Sequence, residues 1–561
     1  MAKLKNILRR IDDLTESGRM SRDCLMKGCG FSNKLLRRPF IGVVNGYGEI
    51  NPGASHLDSI SKKVKKSILK AGGTPVEFFI SSTCVGMCHG GDNYRWTLPW
   101  RDITAAYIEA TSEINYFDGL VMVTVCDDAI PANLMAAVRL GLPTIVIPGG
   151  TMVQGNYKGE TLDKANLYSK YIQLKNGQLD QETFNRMHDL AIPGAGVCND
   201  IMGTGNTMAV FAEALGLTLP GNGTVPGKSR EVFNYAEQAG SQIMNLMHSG
   251  LTVKKLLNEK SFENAIRVFL AIGGSSNGLL HIPAIAQDFG IKIDWEYFDK
   301  LSQETPFIVN CKPAGQYYVS DLHAAGGGVQ AIMKELSPFL NLDVLTVTGK
   351  TLRENLKNVQ VDNRQIIAPL SKPFRSENSY AFLKGNLAPD GAIVKQIAVP
   401  RKMLSFRGPA KIFESDLTAT NALIENKISA GDVVVVRYQG PKGDPGMRQS
   451  GNQFASILSS KEISDKVAFL TDGRFSGTNK GLLIGHIAPE AYIGGPLALV
   501  KDGDIINIDI PNRIINMEVE QEEISKRMKN WQPPQKDIKR GFLQIYRKLV
   551  TQADHGAILS P

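Results

Sequence analysis

The run 121–128, Val-Met-Val-Thr-Val-Cys-Asp-Asp, constrains this chain most, because a β-branched apolar strand empties directly into a cysteine and two carboxylates. A strand with no polar face suits the middle of a parallel sheet covered by helices on both sides. In doubly wound sheets, ligands sit beyond the carboxyl ends of the strands, where Cys126, Asp127 and Asp128 would stand. A soft thiolate suits iron in an iron–sulfur cluster, and hard carboxylates suit a cation such as magnesium. The plainer alternative is a buried cysteine followed by an ordinary acidic loop. These eight residues leave both readings open.

The flanking sequence favours the layered sheet. Residues 39–45, 76–80, 119–125 and 144–148 read as strands, with helices at 56–71, 102–114 and 132–140 between them. In the first helix Leu57, Ile60, Val64 and Ile68 share one face, Gly72-Gly73 closes it, and Lys62, Lys63, Lys65 and Lys66 form its solvated side. Near residue 370 the pattern changes. Ser371-Lys372-Pro373 and the polar run 375–378 read as a linker, followed by short β-type runs at 392–399, 432–438, 467–471, 497–500 and 505–510. Glycines and Asp-Gly pairs between several of them suit a compact β-barrel or β-sandwich.

A chain of 561 residues exceeds what one hydrophobic core supports. With 43% apolar and 21% charged residues it is not a mainly disordered protein. The net charge of +8 arises from 63 basic and 55 acidic residues spread along the chain, without the basic stripe of a nucleic-acid binder. It suits attraction of a small anionic substrate. The first ten residues lack a signal-peptide core, and no later stretch has the length and apolarity of a membrane span, so a cytoplasmic protein is expected. Cysteines at 24, 29, 84, 88, 126, 198 and 311 are few and irregularly spaced. Reduced thiols or metal ligands fit them better than a disulfide framework.

Two further segments carry chemistry. Cys198 lies in Gly196-Val197-Cys198-Asn199-Asp200-Ile201-Met202-Gly203-Thr204-Gly205, ahead of a helical run at 209–215, so backbone N–H groups and a thiolate are offered together. Ser476 lies in Leu470-Thr471-Asp472-Gly473-Arg474-Phe475-Ser476-Gly477, a glycine-flanked turn after a strand. Such a serine, taken alone, is more often a turn former than a base. With Gly273-Gly274-Ser275-Ser276-Asn277, Gly385-Asn386-Leu387-Ala388-Pro389-Asp390-Gly391 and Gly440-Pro441-Lys442-Gly443-Asp444-Pro445-Gly446-Met447, the chain resembles the dihydroxy-acid and phosphogluconate dehydratase family. That family includes the sugar-acid dehydratases, and the resemblance spans 38–558.

The resemblance implies an α/β fold: a helical arm at 1–37, a layered, mostly parallel-sheet cluster-binding domain at 38–370, and a swivelling-type β-barrel domain at 371–561 carrying the serine. It implies a homodimer or dimer of dimers that converts a 2,3-dihydroxy carboxylic acid to a 2-keto acid, with no nucleic-acid or membrane partner. On that scheme Cys126 and Cys198 bind an iron–sulfur cluster and Ser476 is the base. Asp127 and Asp128 face magnesium, and Thr471, Arg474 and Lys480 face the substrate. Cys88 is the candidate further cluster ligand, and Cys84 is expected to be an unligated small apolar residue.

Some family positions differ here. Two-iron members carry a cysteine where this chain has Gly53, in Asn51-Pro52-Gly53-Ala54, so a four-iron cluster is favoured over a two-iron one. The family's magnesium ligands are an aspartate, an aspartate beside a carbamylated lysine, and a glutamate. Anchoring the alignment on Arg95 and Arg101, this chain has Val85, Asp127 with Asp128, and Gln449. Valine cannot coordinate a cation and aspartate cannot be carbamylated, so a magnesium shared by Asp127, Asp128, water and substrate is the reduced form that stays open. Retention of Ser476 within its motif favours a dehydratase, while the altered ligands keep open a non-catalytic or regulatory paralogue.

Overall fold

The computed structural model describes residues 8–9, 13–88, 91–375, 378–459, 461–475, 480–538 and 540–560. Helices at Glu16–Gly28 and Asn33–Leu36 precede the sheet. β1 (Phe40–Asn45), β2 (Thr74–Phe79), β3 (Gly119–Thr124) and β4 (Thr144–Pro148) then pair in the order β2-β1-β3-β4, all parallel. Val121 pairs with Val43 on one side and Ile145 on the other.

The helices α1 (Leu57–Lys70), α2 (Thr97–Ile114), α3 (Ala129–Leu140), α4 (Thr204–Ala214), α5 (Arg230–His248) and α6 (Gly278–Phe289) surround this sheet. α1 and α5 pack on each other and on the strands, while α3 packs on β3, β4, α2 and α6. Cover on both faces explains why every residue of β1, β3 and β4 is buried. Both α2 and α3 begin earlier than their periodicity predicts, at Thr97 and Ala129. Pro99 and Pro131 fall in the first turn of each, where a missing N–H breaks no intrahelical bond.

The second half closes into a barrel, which decides between the two β architectures expected. β5 (Ala381–Gly385), β6 (Ala388–Val394), β7 (Ser405–Phe413), β8 (Val433–Val436), β9 (Ala468–Thr471), β10 (Leu482–Ala488), β11 (Ile505–Asp509) and β12 (Ile514–Met517) run in the closed order β8-β9-β10-β6-β5-β12-β11-β7. Leu383, Val433, Val435, Leu470, Ile484 and Ile508 point into its own apolar core. Two expected strands are corrected. Residues 497–499 fall in a 3-10 turn, Pro496–Leu499, begun by a proline that cannot donate to a sheet and capped by Val500. The strand expected at 392–399 ends at Val394 and gives way to a 3-10 turn, Gln396–Ala398.

The two halves meet closely where the loop 440–449 crosses the start of α2. Gly446 has φ +96°, and a Cβ there would lie 1.6 Å from the Arg95 carbonyl oxygen. No side chain fits without parting the backbones. Gly446→Ala is therefore expected to lower the unfolding free energy by about 3 kcal/mol, read from chemical denaturation.

A second marker lies in the first half. Glu213 is buried on α4 and accepts hydrogen bonds from the N–H groups of Gly221 and Gly223 and from Gln330 Nε2. Burial outweighs these donors and pushes its carboxyl up to about 7 from an ordinary 4.5. Between those values the folded chain keeps a proton that the unfolded chain has released. The group's contribution to stability is therefore complete below about pH 4.5 and is lost as pH rises through 7. Between pH 5 and 8 the wild type should lose about 2 kcal/mol more unfolding free energy than Glu213→Gln, measured by urea titration at each pH.

Candidate active site

At the end of β3 the chain turns through Cys126, whose φ is +78° and whose side chain is buried. A left-handed conformation at a residue other than glycine costs roughly 1–2 kcal/mol and persists where surrounding structure enforces it. α3 then starts at Ala129, with Asp128 at its N-cap. Three thiols gather beside this turn. Cys84, in the loop after β2, is hydrogen-bonded to Cys126, and its Sγ lies 3.3 Å from Sγ of Cys198, in the loop before α4. The bond with Cys84 and full burial hold the Cys126 thiol well above its ordinary range.

Cys84, not the expected Cys88, makes this contact. The 3-10 turn Val85–Met87 separates them, leaving Cys84 buried at its start and Cys88 half-buried at its end. Cys88 Sγ lies 3.5 Å from the Val85 carbonyl oxygen, and burial, with the fields of Asp128 and Cys84, raises its thiol. Gly53, from the loop after β1, closes the group. A Cβ on it would lie 3.1 Å from Cys126 Sγ and 2.8 Å from the Gly196 carbonyl oxygen. Loops following β1, β2 and β3 thus converge at one end of the sheet.

The two carboxylates diverge. Asp127 Oδ1 faces the start of α4, 3.2 Å from where a Cβ on Gly205 would stand. Asp128 is 1% exposed, and among the described residues neither of its oxygens has a hydrogen-bond partner. His281 Nε2, on α6, lies 3.6 Å from Asp128 Oδ1. Arg101 Nη1 lies 3.3 Å from His281 Nδ1 and can only donate, so the imidazole proton sits on Nε2, toward Asp128. Burial raises the Asp128 carboxyl to about 6, against the opposing fields of Arg474 and Arg101. Burial and Arg101 drive the His281 pKa well below its usual value, so the ring is neutral.

Ser476 lies outside the described residues. Its flanks are placed: the Phe475 carbonyl accepts from Ser276 Oγ, in the Gly273 to Asn277 motif, at 2.8 Å. Arg474 is fully buried, donating from Nε to the Met447 carbonyl at 2.6 Å and from Nη2 to Thr97 Oγ1 at 2.9 Å. Its guanidinium carbon lies 5.3 Å from the Tyr94 ring centroid. Thr471 is buried, with Oγ1 accepting from the Gly473 N–H. Lys480 is exposed and lines, with Arg375, Lys395 and Asp465, a cavity of about 410 Å³ that includes none of the thiols. Tyr94, which sequence reasoning passed over, is buried and donates to Gln449 Oε1 at 2.6 Å, across the junction of the halves.

The donor chemistry fits an iron–sulfur cluster, since three soft thiols converge and Gly53 keeps the space beside one of them clear. It does not fit magnesium. Among the described residues no three His, Cys, Asp or Glu side chains have the spacing to hold a single ion, and Asp127 and Asp128 point to different helices. Tyr94 already engages Gln449 Oε1, and two guanidiniums act on Asp128.

Two family models match in series. Residues 38–355 match the dihydroxy-acid/6-phosphogluconate dehydratase N-terminal family, and residues 365–557 the corresponding C-terminal family. A dihydroxy-acid dehydratase of Methanothrix thermoacetophila is 44% identical over 553 residues, covering 98% of this chain and 99% of that protein. Those of Ruminiclostridium cellulolyticum and Methanococcoides burtonii are 43% and 42% identical, covering 95% and 97% of this chain and 97% and 99% of their own lengths. Thiols gathered at the sheet end and similarity along the whole chain agree: this protein belongs to the dihydroxy-acid/6-phosphogluconate dehydratase family.

Proposed function

We infer that this protein is a hydro-lyase that removes water from a 2,3-dihydroxy carboxylic acid and releases the 2-keto acid. Identity of 42–44% with dihydroxy-acid dehydratases along nearly the whole chain carries the reading. The convergence of Cys84, Cys126 and Cys198 supports it. These three residues would hold an iron–sulfur cluster, of the four-iron type in view of Gly53. When bound, the cluster supplies a Lewis acid for the C3 hydroxyl.

The protein's own part is to hold the acid and move its protons. Ser476 takes the C2 proton as base, in a turn anchored on one flank by Ser276 and by Arg474. Loss of the C3 hydroxyl leaves an enol, which takes a proton at C3 and becomes the 2-keto acid. The substrate lies between the domains 38–370 and 371–561, with 1–37 as an arm. Like its relatives' family, the chain acts as a dimer or dimer of dimers. Among the described residues no helix is long and apolar enough to cross a membrane.

The test is anaerobic purification with iron and sulfide analysis, then keto-acid assay on dihydroxy-isovalerate, dihydroxy-methylvalerate, gluconate, phosphogluconate and pentonates. A brown protein turning over at least one of these is expected. A colourless protein that cannot be reconstituted, or one inert on every acid, overturns the reading. Ser476→Ala should lower kcat about 10²- to 10⁴-fold with iron content unchanged. Cys84→Ala should lower bound iron and the visible absorbance at least as far as Cys88→Ala does, which assigns the third thiol.

A further inference from the structure

Away from the thiols, the stretch that follows β6 borders a second cavity whose charges do not balance. Pro313 and Ala314 of the first half meet Arg375, Lys395, Asp465 and Lys480 around a volume of about 410 Å³. Arg375 reaches it from the stretch that bridges to Phe307. Lys395 directly follows β6, is 3% exposed and donates from Nζ to the Gly274 carbonyl at 3.2 Å, so its ammonium is carried inward and away from bulk water. Lys480 is held beside the same stretch because the next residue, Gly481, donates its N–H to the Ala398 carbonyl at 3.0 Å. Among the described residues the lining has a single carboxylate, and it is already engaged: Asp465 pairs with Lys402, whose hydrogen bond holds its carboxyl below the ordinary value. Neither Arg375 nor Lys480 has a carboxylate partner among the described residues.

We propose that this cavity is an anion site separate from the thiols, taking the phosphate group of a small phosphomonoester between Arg375, Lys395 and Lys480. Three cations against one carboxylate that is already paired leave a concave positive surface, which concentrates multiply charged anions. A guanidinium fork matches paired oxygens of a tetrahedral oxyanion, and the two lysines add point charges. The volume lies in the range of small-molecule sites and exceeds what a lone phosphate fills, so the carbon part of an ester is held as well. A monocarboxylate would answer only one of the three charges. Because Arg375 is bridged to the first half at Phe307 and Lys480 belongs to the barrel, a bound dianion ties the two together. Lys395 makes the site sensitive to pH. Burial pushes its ammonium down to about 7 from an ordinary 10.5, and a bound dianion restores the charge, so affinity is full below pH 7 and falls as pH rises through it. The groups facing that ammonium are Arg375, Lys480, the Asp465–Lys402 pair and Tyr380, whose hydroxyl shares the Gly274 carbonyl at 2.6 Å. None of this depends on the dehydratase reading.

Calorimetric titration of the anaerobic holoprotein with glycerol phosphate and, separately, with inorganic phosphate tests the site and tells the two sources of the group apart. One ester per chain should bind, more tightly than inorganic phosphate; the reverse order overturns the ester as occupant. Arg375→Gln and Lys480→Gln should each weaken binding about tenfold, while Lys526→Gln, on the helix Gln521–Asn530 outside the cavity, should leave it unchanged. Sulfate keeps its charge across the neutral range and so isolates the lysine: its affinity should fall about tenfold between roughly pH 6.5 and 8.5, and Lys395→Met should flatten that profile. Absence of saturable binding up to about 10 mM ester, or equal affinity in Arg375→Gln, Lys480→Gln and the wild type, sinks the proposal. Lys480 is exposed and Arg375 is not buried, so those two variants keep the test decisive even where replacing Lys395 costs the fold.

Discussion

A carboxylate taken almost wholly out of water at the meeting of two domains is the constraint from which the rest of this architecture follows. Asp128 stands 3.6 Å from His281 of α6, in the fields of Arg474 and Arg101, while Arg101 itself pairs with Asp102; burial still prevails and raises the Asp128 carboxyl to about 6. Desolvation of such a group is a matter of several kcal/mol and is offset only by partners held in place. Arg474 in turn donates to the loop at Met447 and to Thr97. Arg474 thus ties the end of the barrel strand β9 to the loop at Met447 and to the start of α2.

Parallel topology does the remaining work. In the order β2-β1-β3 the loops after all three strands leave the same end of the sheet, so residues distant in sequence, Gly53, Cys84 and Cys126, become neighbours. Cys198 joins them through the bridge Thr151↔Val197, which ties its loop to the end of β4. Left-handed backbone at Cys126 concentrates strain at this point, as at many functional sites.

Much of the first half was legible because burial on both faces writes itself as unbroken apolar runs: β1, β3, β4 and α1 lie within a residue or so of their periodic signals. The barrel was harder to read. β7, Ser405–Phe413, carries Arg407, Pro409 and Lys411, so its pattern looks like a loop until its neighbours supply the hydrogen bonds. β10 is interrupted by a register shift between Gly485 and Ala488, with His486 at φ +54°, which breaks the alternation that marks a strand. Within the site, Cys126 and Cys198 stood out by their motifs. Choosing Cys84 over Cys88 required knowing which way a three-residue 3-10 turn faces.

The sequence by itself determined the layered sheet, the second β domain, the cysteine at the end of β3 and the family, because hydrophobic period and ordered motifs are local properties. Only the tertiary structure decided that the second domain is a closed barrel, that Cys84 stands beside Cys126 and Cys198, and that Asp127 and Asp128 face different partners. Tyr94 and His281 gained meaning only there, since nothing along the chain links them to Gln449 or Asp128. The physical reason is that charge compensation and thiol contact act through space over a few ångströms. A linear pattern records which groups exist, whereas folding sets the distances on which their electrostatics depend.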